Sequence, residues 1–178
     1  MLFRSQNPDL VIPANYYNEY VLLARTMQQQ QVKPKGIYSV LGGAASSYKF
    51  VKEFPDAARY IMDCNHWFDP RSEKALALKK KVESKDQFYT YEVYMNYSCV
   101  LLLADALERA ASADRAKIIA ALESSTFSGH VMPYGPTKFV NGQNQGAAPV
   151  NTQVLGNDIQ VIFPASFASA KAVFPMPA

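Results

Sequence analysis

Cys64 and His66 are the two side chains whose types and spacing come nearest to nucleophilic chemistry. They fall in Arg59–Trp67, a stretch that reads as a strand, so both project to one face with Tyr60 and Met62. Same-face neighbours at that spacing stand about 7 Å apart at their Cα atoms, too far for a thiol–imidazole hydrogen bond. Strand residues lining a groove explain them more simply than a catalytic dyad. Asp63, Cys64, His66 and Asp69 gather metal-ligating types, but without CxxC or HxxxH spacing, and two of the four point the wrong way. Gly-x-Ser-x-Gly is absent, as is a phosphate loop ending in Gly-Lys-Ser/Thr, and no complete dinucleotide fingerprint surrounds Gly42-Gly43. No acid/base pair of carboxylates stands out. The reading is no catalytic residue, no metal and no cofactor.

Aromatic and amide groups stand out instead: Asn15, Tyr16 and Tyr17 in one segment, Trp67 and Phe68 in another. Tyrosine hydroxyls, an asparagine amide and aromatic faces suit holding a small polar or aromatic molecule without transforming it. Plain packing is the competing reading, since tyrosines at a helix start commonly serve the core. Position decides between the two, and position is set by the elements around them.

Those elements are strand, helix, strand. Leu10-Val11-Ile12 is a short apolar run after a Pro-Asp turn, and Tyr17–Gln31 follows with Tyr17, Tyr20, Val21, Ala24, Met27 and Gln28 on one helical face. Lys33-Pro34-Lys35-Gly36 breaks the helix, and Ile37–Leu41 forms the second strand, ending in Gly42-Gly43. A helix of that length between two strands suits a right-handed parallel crossover. Continuous apolar strands predict a sheet covered on both faces. In open parallel sheets ligands sit beyond the carboxyl ends of the strands. The loops there are Ala14–Tyr17 and Gly42–Ala45, so Asn15, Tyr16, Tyr17 and Gly42 fall on one edge. Trp67 joins them if the third strand is also parallel.

The chain has 178 residues, 49% hydrophobic and 19% charged, which suits one sizeable core better than two. Eighteen basic against fifteen acidic residues give a net charge of +3, too little for a nucleic-acid or membrane field. The basic run Lys79-Lys80-Lys81 reads as a solvated helix face. No apolar run approaches the roughly 20 residues of a membrane span. Met1–Ser5 is no signal peptide and is expected to be a non-native scar ahead of a truncated gene. Cys64 and Cys99 are expected to remain free thiols, Cys99 buried in the most apolar helix.

Further along, a helix is predicted over 46–54, stopped by Pro55, and another over 72–84 with Ser72 as its cap and Ala75, Leu78 and Val82 inward. The longest helix runs from about Tyr89 to Ala111. Tyr97, Val100, Leu101, Ala104, Leu107 and Ala111 form its stripe, and its apolar middle predicts a sandwiched position. A short helix over 114–122 turns Ile118, Ile119 and Leu122 inward. Beyond Ser124 helical spacing stops. Thr137–Val140 reads as a strand, 141–146 as a turn-rich loop, and 151–155 with 158–163 as a hairpin about Gly156-Asn157. The tail from Ala165 wraps a surface.

Four stretches together resemble the second half of a type I periplasmic substrate-binding protein of ABC importers, in the subgroup of branched-chain amino acid receptors. They are Asn7–Ile12 leading into Asn15–Glu19; Trp67-Phe68-Asp69-Pro70; Tyr97 through Leu102–Ala110; and Phe139–Asn144, followed by the paired strands and Val161–Pro164. The resemblance covers about Asn7 to Pro177. It implies an α/β fold: a parallel-sheet lobe plus the returning helices and strands of a truncated first lobe. Residues 6–66 would belong to the second lobe, 67–150 to the returning part of the first, and 151–178 to crossing strands and the tail. It implies a non-enzymatic receptor that closes like a hinged trap on a small organic solute, amino acid-like or a carboxylate or amide, in the periplasm or another extracytoplasmic space. The partners it implies are a membrane permease and the missing first lobe, with no nucleic acid.

In the family, the loop matching Asn15-Tyr16-Tyr17 often supplies an aromatic contact, and the loop matching Val40–Gly43 supplies a carboxylate for an amino acid's ammonium. Here that second loop has no acid, which leans the ligand toward a carboxylate, an amide or another neutral solute. A sensing domain of a signalling receptor with the same fold, and less so an enzyme on a doubly wound sheet, are the alternatives. A chain lacking its first lobe is also expected to expose apolar surface and to associate or dissolve poorly.

Overall fold

The computed structural model describes residue 5 and residues 7–40 and 45–177. These divide into two compact units, one built from the chain up to Asn65 and again from Val150 onward, the other from His66–Pro149.

The first unit is a five-stranded sheet in the order β1-β2-β3-β6-β7. β1 (Leu10–Val11), β2 (Gly36–Val40) and β3 (Met62–Asn65) run parallel. β6 (Val150–Leu155) pairs antiparallel with β3, and β7 (Asp158–Phe163) antiparallel with β6. Gly156-Asn157 closes that hairpin, with Gly156 at φ +67°. Between the parallel strands lie α1 (Tyr17–Gln29), then α2 (Tyr48–Glu53) and α3 (Pro55–Ala58). α1 stops two residues short of its predicted end because Gln31 adopts a left-handed conformation (φ +53°), letting the Val32 N–H reach the Met27 carbonyl at 2.9 Å.

The third strand is shorter than the predicted 59–67. Tyr60 sits at φ +66°, which bends the chain between α3 and β3, and the chain leaves the unit after Asn65. Asn65 and Val150 are register partners, so exit and re-entry occur on adjacent strands. The alternation read from sequence holds: Ile61, Asp63 and Asn65 are buried, whereas Met62 and Cys64 are half-buried.

Coverage of both sheet faces does not hold. Ile37, Ser39, Asp63 and Asn65 face the helices and are buried, while Tyr38, Val40, Met62 and Cys64 on the opposite face stay partly open. Only toward β6 is that second face sealed. Gln153 there is 0% exposed, and its side-chain amide bonds the Val173 carbonyl and N–H of the tail, each at 2.8 Å. β1 is a short edge strand, and Leu10 in it and Ile12 just beyond it are exposed.

The second unit contains α4 (Glu73–Glu83), α5 (Tyr91–Ala110), α6 (Arg115–Glu123) and the hairpin of β4 (Phe139–Val140) with β5 (Gln143–Asn144). The Ser72 hydroxyl caps α4 by accepting from the Ala75 N–H at 3.3 Å. The turn-rich segment after Val140 is a two-residue reversal in which Asn141 (φ +51°) and Gly142 (φ +77°) both take left-handed backbone. An aromatic cluster of Trp67, Phe68, Tyr89 and Tyr94 forms the core.

α5 buries a different face from the predicted one. Tyr94, Ser98 and Ala106 point inward, and the Ser98 hydroxyl donates to the Tyr94 carbonyl at 2.8 Å while accepting from the Val131 N–H at 3.3 Å. The helix is not sandwiched: Val100 is 65%, Leu103 46% and Leu107 38% exposed. Likewise Ile119 on α6 is exposed and Ala121 is buried. A stripe apolar all round does not reveal which side meets the core, and here the aromatic cluster chose the side. Both cysteines are free, and Cys99 is exposed on α5 rather than buried. An open stripe of this kind predicts self-association. Replacing Val100 by Glu and Leu103 by Lys should shift sedimentation toward monomer while leaving the urea midpoint nearly unchanged. A large loss of stability would mean that these side chains are core.

Candidate functional site

Because β1, β2 and β3 are parallel, their carboxyl ends lie on one edge of the first unit. The loops leaving β1 and β2 are joined at their base, where the Val40 N–H donates to the Pro13 carbonyl at 3.1 Å. Asn15 is half-buried in the first loop. Tyr16 stands at the N-cap of α1 and is 82% exposed, the most open large apolar group among the described residues. Tyr17 is fastened instead. Its hydroxyl donates to Glu53 at 2.9 Å, its ring meets Phe50 edge-on at 6.4 Å, and the Lys49 ammonium lies 4.9 Å from the ring centroid. Burial, and then the Glu53 carboxylate, push its hydroxyl pKa well up, so it is a neutral donor.

Gly42 lies outside the described residues. Trp67 is 1% exposed in the second unit, its ring packed 5.2 Å from Phe68 and 5.9 Å from Tyr94. It is a core side chain and offers no open face. The edge therefore gathers Asn15, Tyr16 and Tyr17, with Tyr16 the one freely presented.

Beneath the edge lies a buried polar cluster that the sequence reading did not single out as a site. Asp63, on β3, is 1% exposed and accepts a hydrogen bond from the Ser46 hydroxyl, just after the loop that leaves β2. The Asn65 amide donates to the same Ser46 oxygen at 3.2 Å. Burial raises the Asp63 pKa; Ser46, Ser39 and Asn65 pull it back without cancelling the rise. Its second oxygen, Oδ1, and the Ser39 hydroxyl in the facing register position have no partner of good hydrogen-bond geometry among the described residues. The signal was present in sequence as Ser39, Asp63 and Asn65, polar residues at the buried phase of their strands. The second loop itself has no acid, but a carboxylate one strand away anchors its far end.

On the open face, the Tyr38 hydroxyl donates to Asn151 Oδ1. Burial and the nearby Cys64 push its pKa to about 12. Cys64 thus has a tyrosine as its polar neighbour. The other histidine, His130, has both ring nitrogens engaged within the second unit: Nδ1 accepts from the Met132 N–H at 3.3 Å, and Nε2 donates to the Gly135 carbonyl at 3.1 Å. Among the described residues no group of three potential metal ligands converges, and no helix is long and apolar enough to cross a membrane.

A family model for periplasmic binding proteins matches residues 3–158. The chain belongs to the periplasmic binding protein family. A search of curated proteins returns no match. Among solved structures, this periplasmic binding protein is similar to a leucine-binding protein from Thermotoga maritima, with TM-score 0.72 and 21% identity over 90% of this chain and 45% of that one. It is similar to a branched-chain amino acid ABC transporter protein from Thermus thermophilus with bound valine, with TM-score 0.71 and 13% identity over 93% of this chain and 49% of that one. A type 1 periplasmic binding protein from Bordetella pertussis matches at TM-score 0.66 and 15% identity, over 86% of this chain and 45% of that one. The periplasmic binding protein described here thus has the type I fold and spans about half the length of these structures. Identities this low carry the fold and leave the ligand open.

Proposed function

We infer that the chain is the carboxyl-terminal portion of the extracytoplasmic solute-binding component of an ABC importer. The whole protein would trap a small organic solute between two lobes and present the closed form to a membrane permease. The observation that carries this reading is the family match over residues 3–158 together with a parallel-strand edge bearing an open tyrosine. On this reading Tyr16 and the Asn15 amide contact the solute, Tyr17 braces the loop through Glu53, and Gly42 stays a candidate contact on its sequence position alone. Trp67, buried in the second unit, is left out of the contact set. The protein binds its solute without transforming it. Asn65 and Val150, paired at the points where the chain leaves and re-enters the sheet, suit a hinge of adjacent strands.

The absence of a carboxylate in the loop after β2, with Asp63 turned into the core, disfavours a free α-amino group in this part of the site. Calorimetric titration of the complete gene product with L-leucine, 4-methylpentanoate and 4-methylpentanamide tests this. The carboxylate or the amide should bind about tenfold or more tighter than leucine, and Tyr16→Ala should weaken that binding about tenfold. Leucine binding most tightly would overturn the solute class. Binding of none, together with a genuine promoter directly upstream of Met1, would overturn the importer reading itself.

A further inference from the structure

The opposite, amino-terminal end of the same sheet carries a second concavity. A cavity of about 390 Å³ opens there between the last turns of α1, the helix α3, the start of β2 and the tail. Its floor is apolar, made by Leu23, Ala24 and Met27 of α1 and Ile37 of β2. The tail supplies a fixed wall. The Met176 N–H donates to the Lys35 carbonyl at 2.7 Å, and Phe174 lies so close over Gly36 that a Cβ there would stand 3.0 Å from its ring.

The rim is charged. Lys33, Lys35 and Arg59 line it against a single carboxylate, Asp56. Lys35 is engaged by Asp9 at 2.9 Å. Lys33 and Arg59 are exposed and make no ion pair among the described residues. A volume of this size falls within the roughly 300–1,000 Å³ of small-molecule sites. At about 30 Å³ per water-sized group it accommodates roughly a dozen heavy atoms. An apolar floor below two uncommitted cations selects a molecule with one anionic head and one apolar body. It disfavours a zwitterion, whose ammonium would meet Lys33 and Arg59.

We propose that this cavity is a second binding site, taking a medium-chain carboxylate with its head at Lys33 and Arg59 and its chain against Met27 and Met176. The proposal stands apart from solute capture, because no described residue of the carboxyl-end loops lines the cavity.

The test is titration of the 178-residue chain with octanoate, followed by methyl resonances of ¹³C-labelled methionine, with 1-octanol as the uncharged match. Octanoate should shift Met27 and Met176 saturably and leave Met95 and Met132 in place, and octanol should bind about tenfold more weakly. Lys33→Glu with Arg59→Glu should weaken octanoate about tenfold and leave octanol unchanged. Both positions are exposed, so this variant should keep the fold, which the unaltered Met95 and Met132 resonances would verify. Ala24→Phe should fill the floor and remove both ligands. No saturable shift, octanol binding as tightly as octanoate, or indifference to the charge reversal would each overturn the proposal.

Discussion

Trp67→Ala should lower the stability of the second unit by about 3–5 kcal/mol. The indole is 1% exposed, lies 5.2 Å from Phe68, and meets Tyr94 at 5.9 Å with a 74° interplanar angle. Truncation removes the largest fully buried side chain among the described residues. It also removes ring contacts of about 0.5–1.5 kcal/mol each beyond area burial. The backbone on either side is tied into the same core: the Tyr94 hydroxyl donates to the His66 carbonyl at 3.0 Å, and the Asp69 N–H to the Val131 carbonyl at 2.8 Å. The hole therefore has little freedom to collapse. Against a typical domain stability of about 5–15 kcal/mol, the loss consumes much of the total. Urea unfolding followed by far-ultraviolet circular dichroism is the measurement, since Trp67 is the chain's only tryptophan and the variant has no indole fluorescence. Trp67→Phe should recover a large part of the loss. A Trp67→Ala variant within about 1 kcal/mol of the parent would refute the packing role and return Trp67 to the solute contacts.

Asp63 gives the second large effect, with an unusual sign. Its folded-state pKa lies above the ordinary carboxylate value because burial outweighs the Ser46 hydrogen bond and the weaker pull of the nearby Ser39 and Asn65 side chains. The folded state thus favours the protonated acid. Below the ordinary value of about 3.9 both folded and unfolded chains hold the proton, and this contribution to stability is fully present. As pH rises from there toward the folded-state pKa, the unfolded chain releases the proton first and stability falls. Above the folded-state pKa the loss is constant. Most carboxylates in salt bridges behave the other way.

Asp63→Asn keeps the shape and an oxygen for the Ser46 hydroxyl without a buried charge. It should match or exceed the parent's stability near pH 7 and abolish this part of the acid slope. Asp63→Ala leaves the Ser46 hydroxyl without its acceptor and should cost about 1–3 kcal/mol at about pH 3, below the ordinary carboxylate value, where the parent holds its proton. Urea titrations at both pH values decide the matter. An Asn variant markedly less stable than the parent near pH 7 would show that the ionised carboxylate is the form the cluster holds. The same variants bear on function, because Ser46 closes the loop leaving β2. A change of solute affinity in Asp63→Asn without a change of stability would mark Asp63 as a positioning residue for that loop.

Much of the architecture was legible because short-range physics wrote it. Lys33-Pro34-Lys35-Gly36 had to end a helix, Ser72 had to cap one, and Gly156-Asn157 had to turn a hairpin, whatever the rest of the chain did. The order of apolar runs then placed Asn15, Tyr16 and Tyr17 beyond a strand end, because side-chain period and crossover length are local properties. The four stretches that resemble periplasmic binding proteins were readable for the same reason, and the family match over residues 3–158 agrees with them.

The tertiary structure alone decided which of these groups is packed and which stands open. Two adjacent tyrosines have the same chemistry on paper. Tyr17 met Glu53 and Phe50 and became a brace, whereas Tyr16 met nothing of that kind and stands 82% exposed. Trp67 read as an edge aromatic until Phe68 and Tyr94 closed over its faces. α5 was apolar on every side, so periodicity could not say that Tyr94, Ser98 and Ala106 would turn inward and Val100 and Leu103 outward. Local sequence set the periods, stops and turns, through backbone sterics and hydrogen bonds that span a few residues. Burial is the sum of contacts from distant segments, and so the choice between packing and exposure was made only when the chain had closed on itself.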